Sequence, residues 1–325
     1  MASAVTTRPE AIKAVPVRHP WRWVAAIVLL GFLAATVYKF ATAPKLEWNV
    51  VGDFLFHGTI LTALLGTLSL TVIAMVIGIA LGVLLAVMRL SPNPVMSSVA
   101  WFYIWFFRGT PVLVQLFFWW NIQTVLPTIG IGIPFTNVGT GVDTVHLITP
   151  FLASILGLGL NEAAYMAEIV RAGIISVEQG QTEAAQALGM PRSLVMRRIV
   201  LPQAMRVIIP PTGNETISML KTSSLAFITT FGELFRVQEE ISSFNYRIIE
   251  LLIVASFWYL LFTSVLTVGQ YYIERYFARG ASRQLPMTPL QRMRRLIFTF
   301  HAPPPEPLPT ETVAGLTPGS GKGAR

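Results

Sequence analysis

Long apolar runs alternate along the chain with short polar ones. The runs cover residues 21–40, 58–88, 111–125, 151–175, 203–235 and 249–272. An apolar stretch near twenty residues matches the ~30 Å hydrocarbon core of a bilayer. In that core only structures that satisfy their own backbone groups survive, so the runs predict helices. Run 58–88 is longer than a perpendicular crossing needs and must tilt or project. Gly78 and Gly82, four residues apart in it, predict a close helix–helix contact. The pattern reads as an all-α membrane protein with about six transmembrane helices, a five-helix core plus an N-terminal helix. Residues 1–20 form a polar tail, 21–42 the first helix, 55–280 the core and 281–325 a basic, then Pro/Gly-rich tail. Residues 293–300 suit a short interfacial helix. The first run also resembles a signal peptide, since Ala41-Thr42-Ala43 suits a cleavage site. Either reading leaves residue 45 outside.

Several segments break the pattern. Residues 95–107 are rich in Trp, Phe and Tyr and predict an element lying at the membrane surface. Residues 126–149 are Gly- and Thr-rich without Lys or Arg, and predict an external loop. Pro210-Pro211 predicts a helix break at membrane depth, tolerated only where protein or water covers it. Residues 236–248 predict a short external turn. The interval 182–202 is the most polar and basic stretch of the chain's middle. There Thr182 is placed to cap a first short helix. Gly189 suits a left-handed stop, Pro191 starts a second helix and Pro202 closes it.

Composition agrees. Only 12% of the 325 residues are charged and 53% are hydrophobic, with a mean hydropathy of +0.60. Soluble domains carry about 25% charged residues. The net charge of +8 is not a nucleic-acid signature, because the basic residues cluster at the ends of the runs. Of 24 Lys and Arg, the external segments hold only Lys39, Lys45, Arg236 and Arg247, and Lys221 lies inside a run. The positive-inside rule then places both termini and interval 182–202 in the cytoplasm. There is no cysteine, so no disulfide and no thiolate metal site, and no metal site is expected. Residues 318–322 look like a fragment of a nucleotide loop, but Gly323 stands where Ser or Thr should follow the Lys, and no strand precedes it. The chain is expected to bind no ATP itself.

The interval 182–202 carries Glu183-Ala184-Ala185, three residues, Gly189, nine residues, Ile199, then Leu201-Pro202. This resembles the EAA loop of ABC importer permeases. Phe107-Arg108-Gly109-Thr110-Pro111 with Gln115, and Asn161-Glu162-Ala163-Ala164-Tyr165-Met166-Ala167-Glu168-Ile169, resemble the polar-amino-acid branch of that family. The resemblance covers roughly residues 55–280. It implies a type I ABC importer transmembrane fold and a cell-membrane permease subunit. Loop 176–206 would grip separate ABC ATPase subunits, which bind the ATP and Mg. A second permease subunit, identical or paralogous, and an extracytoplasmic amino-acid-binding protein complete the implied assembly. The chain itself would be no enzyme and hold no cofactor. Glu183, Ala184, Ala185, Gly189, Ile199, Leu201 and Pro202 are the implied coupling residues. Where the family carries an acidic residue after Lys221, Thr222 stands here.

Ionisable groups inside a span are costly and usually functional. Glu162 and Lys221 stand at similar depth, about 16 Å and about 12–15 Å from the outer ends of their spans at 1.5 Å per residue. They are expected either to line a polar cavity, facing a substrate's ammonium and carboxylate, or to pair with each other. Asn161, Gln115 and Ser218 are further pathway candidates. Two readings from other classes compete. One is an ion- or proton-coupled carrier using Glu162 or Glu168 as a relay; the other is a membrane scaffold whose loop recruits a partner without transport.

Overall fold

The computed structural model describes residues 20–132 and 139–277. The chain divides into two compact units, Met1–Val37 with Pro286–Arg325, and Tyr38–Leu285. In the first, the described residues are the start of α1 (Pro20–Ala41). The expected tails, the nucleotide-loop fragment and the short helix at 293–300 lie outside the described residues.

The second unit is a helix bundle. α2 (Trp48–Leu55) leads into α3 (Gly58–Arg89), then α4 (Pro94–Gly109) and α5 (Val112–Trp120). A hairpin of β1 (Thr128–Gly132) and β2 (Gly139–Asp143) and the short α6 (Thr144–Leu147) lead to α7 (Pro150–Ile175). The loop holds α8 (Gln179–Ala187) and α9 (Arg192–Val195), followed by a π-helical turn over Met196–Val200. α10 (Leu201–Thr222) continues as a 3-10 turn over Ser223–Thr229. α11 (Leu234–Asn245) and α12 (Ile248–Phe277) close the fold. Among the described residues, Trp23–Ala41, Gly58–Arg89 and Ile248–Phe277 are each long and apolar enough to cross a membrane alone.

The bundle is built on α3 and α7, which run parallel. The glycine pair read from sequence makes this contact. A Cβ on Gly78 would stand 2.5 Å from Glu162 Cγ, and one on Gly82 2.5 Å from Met166 Cβ. Around this seam Leu70, Ala74, Leu116, Leu158 and Met219 form the main core. A second core joins α2, α3, α11 and α12 through Val51, Ile60, Leu64, Leu234, Val254 and Trp258. Helix starts are capped by their own side chains. Asn93 Oδ1 accepts from Val95 N–H (2.9 Å) and Thr149 Oγ1 from Leu152 N–H (3.2 Å), each followed by a proline at the first helical position.

Five expectations are corrected. Residues 95–107 do not form a separate surface element. α4 climbs along α3 and α7, with Arg89 Nη1 donating to Ser97 Oγ (2.8 Å) at one end and the Tyr103 hydroxyl donating to Leu160 O (2.9 Å) near the middle of α7. Ala100 and Ile104, four residues apart, bury against the small side chains of Ala163 and Ala167, which let the helices approach. Second, α10 runs unbroken through Pro210 and Pro211. The neighbouring helix supports the weakened turn: Gln270 of α12 donates to Pro210 O (3.3 Å) and Asn214 Oδ1 (2.9 Å), and it lies against Gly213.

Third, Pro202 does not close a helix. It stands in the first turn of α10, where no N–H is needed. Fourth, Thr182 is no cap: α8 starts earlier, at Gln179, and the Thr182 hydroxyl donates back to Gln179 O (2.7 Å). Fifth, residues 236–248 are mostly helix. Fully buried Glu233 caps α11, accepting from Phe235 N–H (2.8 Å) and Arg236 N–H (2.6 Å), and it also accepts the Tyr259 hydroxyl (3.1 Å).

Candidate functional site

A cavity of about 580 Å³ opens at mid-height of the bundle. It exists because the chain breaks between α4 and α5. Gly109 ends α4, and Pro111 has no N–H to offer, so carbonyls around the break lose their helical donors. Two side chains repair this. Gln115 Nε2 donates to Phe107 O (2.9 Å), Thr110 O (3.1 Å) and Thr110 Oγ1 (2.7 Å), and Asn161 Nδ2 donates to Phe107 O (2.9 Å). The repaired break leaves Arg108, Gly109 and Thr110 as one wall. α7 supplies Asn161, Glu162 and Tyr165, and α10 supplies Glu215, Ser218 and Thr222.

Glu162 is held against α3 by the missing side chain of Gly78. It is 4% exposed, and its Oε1 has no hydrogen-bond partner among the described residues. A buried carboxylate oxygen left unpaired is costly, and the residue that carries it lines the cavity. The cavity's charged groups are the carboxyls of Glu162 and Glu215 and the guanidinium of Arg108. Arg108 Cζ lies 5.1 Å from the centroid of the Tyr165 ring, within cation–π range.

Asn161, Glu162 and Ser218 meet here. Gln115 and Lys221 are not among the lining residues. Gln115 is spent on the break. Lys221 is exposed, and no ion pair joins it to Glu162 among the described residues. Glu215, Ser218, Met219 and Thr222 share one face of α10. Lys221 points about 110° away from the centre of that face at 100° per residue. Arg108 and Tyr165 stand in motifs read from the sequence, but the sequence pattern alone did not bring them, or Glu215, to the cavity. The i, i+3, i+7 spacing of residues 215, 218 and 222 was the available signal.

The loop forms a small body of its own. Gly189 takes φ +78°, Gly189 N–H donates to Gln186 O (2.9 Å) and Met190 N–H to Ala185 O (3.1 Å). This is a glycine-terminated helix end with a left-handed stop, as the sequence predicts. Ala185, Val195 and Val200 are buried together, with Ile199 and Met190 packed on them. The resemblance implies Ala185, beside Ala184, as a residue that meets a partner. Instead Ala185 is 5% exposed and turned inward. Glu183, Ala184, Gly189, Leu201 and Pro202 remain exposed, and Leu188 at the tip is 84% exposed.

Residues 78–279 match the family model described as "Binding-protein-dependent transport system inner membrane component". The arginine transport system permease protein ArgU of Corynebacterium glutamicum is 48% identical over 284 residues, 87% of this chain and 88% of that protein. The nopaline transport system permease protein NocM of Agrobacterium fabrum is 39% identical, over 64% and 83% of the two chains. A crystal structure of an amino acid ABC transporter with histidines matches with TM-score 0.58 and 35% identity, covering 67% of this chain and 94% of that one. The ion- or proton-coupled carrier weighed from sequence finds no support in these relatives. The chain belongs to the family of binding-protein-dependent transport system inner membrane components, as a permease subunit of an ABC importer.

Proposed function

We propose that this permease imports an amino acid with a basic side chain, and that the cavity around Glu162 receives it. The observation that carries this reading is the buried Glu162, which lines the cavity and whose carboxyl Oε1 has no hydrogen-bond partner among the described residues. Glu162 and Glu215 can share the α-ammonium and the side-chain cation, while Arg108 takes the carboxylate that the sequence assigned to Lys221. Two carboxylates and one guanidinium complement a substrate carrying two cations and one anion. The arginine system of the relative most alike among those named supports the same class.

As an ABC importer permease the chain works with ATPase subunits and a substrate-binding protein. Loop 176–206 is the docking lever, with the end of the bundle that carries it in the cytoplasm and both termini on that side. Glu183, Ala184, Gly189 and Leu188 meet the ATPase. Ala185 and Ile199 shape the loop from within, and Leu201 and Pro202 carry the motion into α10. Two permeases, identical or paralogous, enclose the pathway. ATP shifts the pair between states because the ATPase contacts the lever differently in each.

The test is ATP-dependent uptake by the full transporter in proteoliposomes, across labelled arginine, lysine, glutamine and glutamate. Glu162→Gln is expected to raise KM for arginine about 10- to 100-fold, the scale of one lost hydrogen bond to a charged group. Normal arginine kinetics in Glu162→Gln would sink the substrate role, and preference for glutamate would sink the substrate class.

A further inference from the structure

A second cavity, of about 600 Å³, lies against the first on the side of the loop. Arg108, Gly109 and Tyr165 line both. Arg89, Glu168 and Arg171 line only the second. On α7 the polar residues Glu162, Tyr165, Glu168 and Arg171 follow one another at steps of three, each turned about 60° back from the last at 100° per residue, so they form a stripe that winds half a turn round the helix from the first cavity to the second. From Glu162 to Arg171 the stripe runs about 14 Å towards the loop at 1.5 Å per residue.

Charged groups inside a span face water or each other, because hydrocarbon cannot solvate them. The second cavity holds three guanidiniums and one carboxylate. Glu168 takes Arg171 through three bonds, Arg171 Nη2 donating to Oε2 (2.7 Å) and Nε to both Oε2 (3.1 Å) and Oε1 (3.2 Å). Arg89 donates to Ser97. Arg108 has the Tyr165 ring. This uneven charge needs water, so the second cavity is an aqueous cleft that continues the first to the loop end of the bundle. The Arg108–Tyr165 contact stands where the two cavities meet, with Gly109 lining both.

We propose that the second cavity is the exit vestibule for the imported cation, and that Arg108 over Tyr165 is the gate the leaving substrate displaces. The proposal rests on the reading of the first cavity as the substrate site. The vestibule suits a guanidinium or ammonium group. Its Tyr165 face and Glu168 carboxylate already hold two of the chain's own guanidiniums, and a substrate cation can exchange with them stepwise. Arg108, released from the ring, remains beside the substrate carboxylate.

This chain has no cysteine, so with cysteine-free partner subunits a single introduced thiol reports on it alone. Trp101, on the vestibule wall and half-exposed, is replaced as Trp101→Cys in the complete transporter in proteoliposomes. A small, charged, membrane-impermeant methanethiosulfonate is added from the loop side. Reaction within seconds to minutes is expected; no reaction from that side, with the same thiol titrating fully after detergent, overturns the vestibule. This readout needs no transport, so it stands apart from the substrate reading, which wild-type arginine uptake tests separately. The gate is tested by ATP-independent exchange of labelled substrate. Tyr165→Ala is expected to raise exchange at least about tenfold, the scale of one desolvated cation–π contact. Tyr165→Phe, which keeps the ring face, is expected to return it to the wild-type level. Exchange unchanged in Tyr165→Ala, or raised equally in Tyr165→Phe, overturns the gate.

Discussion

The cavity on α7 and the loop after it are both polar regions of an apolar chain, yet they are held in opposite ways. In the cavity the polar groups are fixed from outside. Glu162 is placed by a glycine on another helix, Asn161 by a broken backbone that Gln115 also braces, and Gln270 supports α10 from α12. In the loop the support is internal: Ala185, Val195 and Val200 bury one another within a few turns of chain. A cavity inside a bundle must change when its helices move. A loop that is to act as the proposed lever must keep its shape while being pushed, and a small core of its own would let it do so.

The sharpest way to break this comparison is at the loop tip. Leu188→Asp puts a charge on an 84% exposed apolar residue. Uptake is expected to fall to background and ATPase co-purification to be lost, with permease insertion and melting unchanged. Melting that drops with it would mean that Leu188 supports the loop rather than the contact.

A contrast between neighbours sharpens the same point. Ala185→Leu overpacks a buried site and is expected to cost about 1–3 kcal/mol, read as a lowered melting temperature of the purified permease. Ala184→Leu, one residue earlier and exposed, is expected to leave melting alone and weaken only ATPase docking. Equal melting losses would erase the division of the motif into inner and outer residues.

The cavity answers to a remote glycine. Gly78→Ala sets a Cβ 2.5 Å from Glu162 Cγ, inside any permitted contact. The expected result is about 1–3 kcal/mol of destabilisation together with a raised KM, because the residue displaced is Glu162. Gly52→Ala on α2 meets nothing within 4 Å and is the control. A Gly78→Ala variant that melts lower but transports with normal KM would separate packing from the site.

Much of this fold was legible because apolar run length and the Gly78/Gly82 spacing are local signals. Gly189 was legible for the same reason, since a left-handed stop needs only its own residue. The misreadings share a cause, which is a partner distant in sequence. The aromatic run of α4 reads as a surface element until Ala163 and Ala167 give it a seat. Pro210-Pro211 reads as a break until Gln270, sixty positions on, supports the turn. Lys221 drew attention as a rare charge in a span, whereas its place depends on the register of α10, which turns Glu215 inward instead. Ala185 and Ala184 look interchangeable in sequence. Only the burial of Val195 and Val200 distinguishes them.

The smallest expected effect tests a misreading of this kind. The sequence placed Thr182 as a helix cap, and loss of a cap costs typically ~1 kcal/mol. In the structure Thr182 stands inside α8, where its hydroxyl bonds the Gln179 carbonyl one turn back. Such a bond competes with the helix rather than starting it, and alanine is the better helix former. Thr182→Ala is therefore expected to change melting by no more than the ~0.5 kcal/mol of an ordinary surface substitution. It should also leave coupled uptake intact, since the exposed Glu183 and Leu188 keep their places on a helix that begins at Gln179. A loss near 1 kcal/mol would return the start of the helix to Thr182.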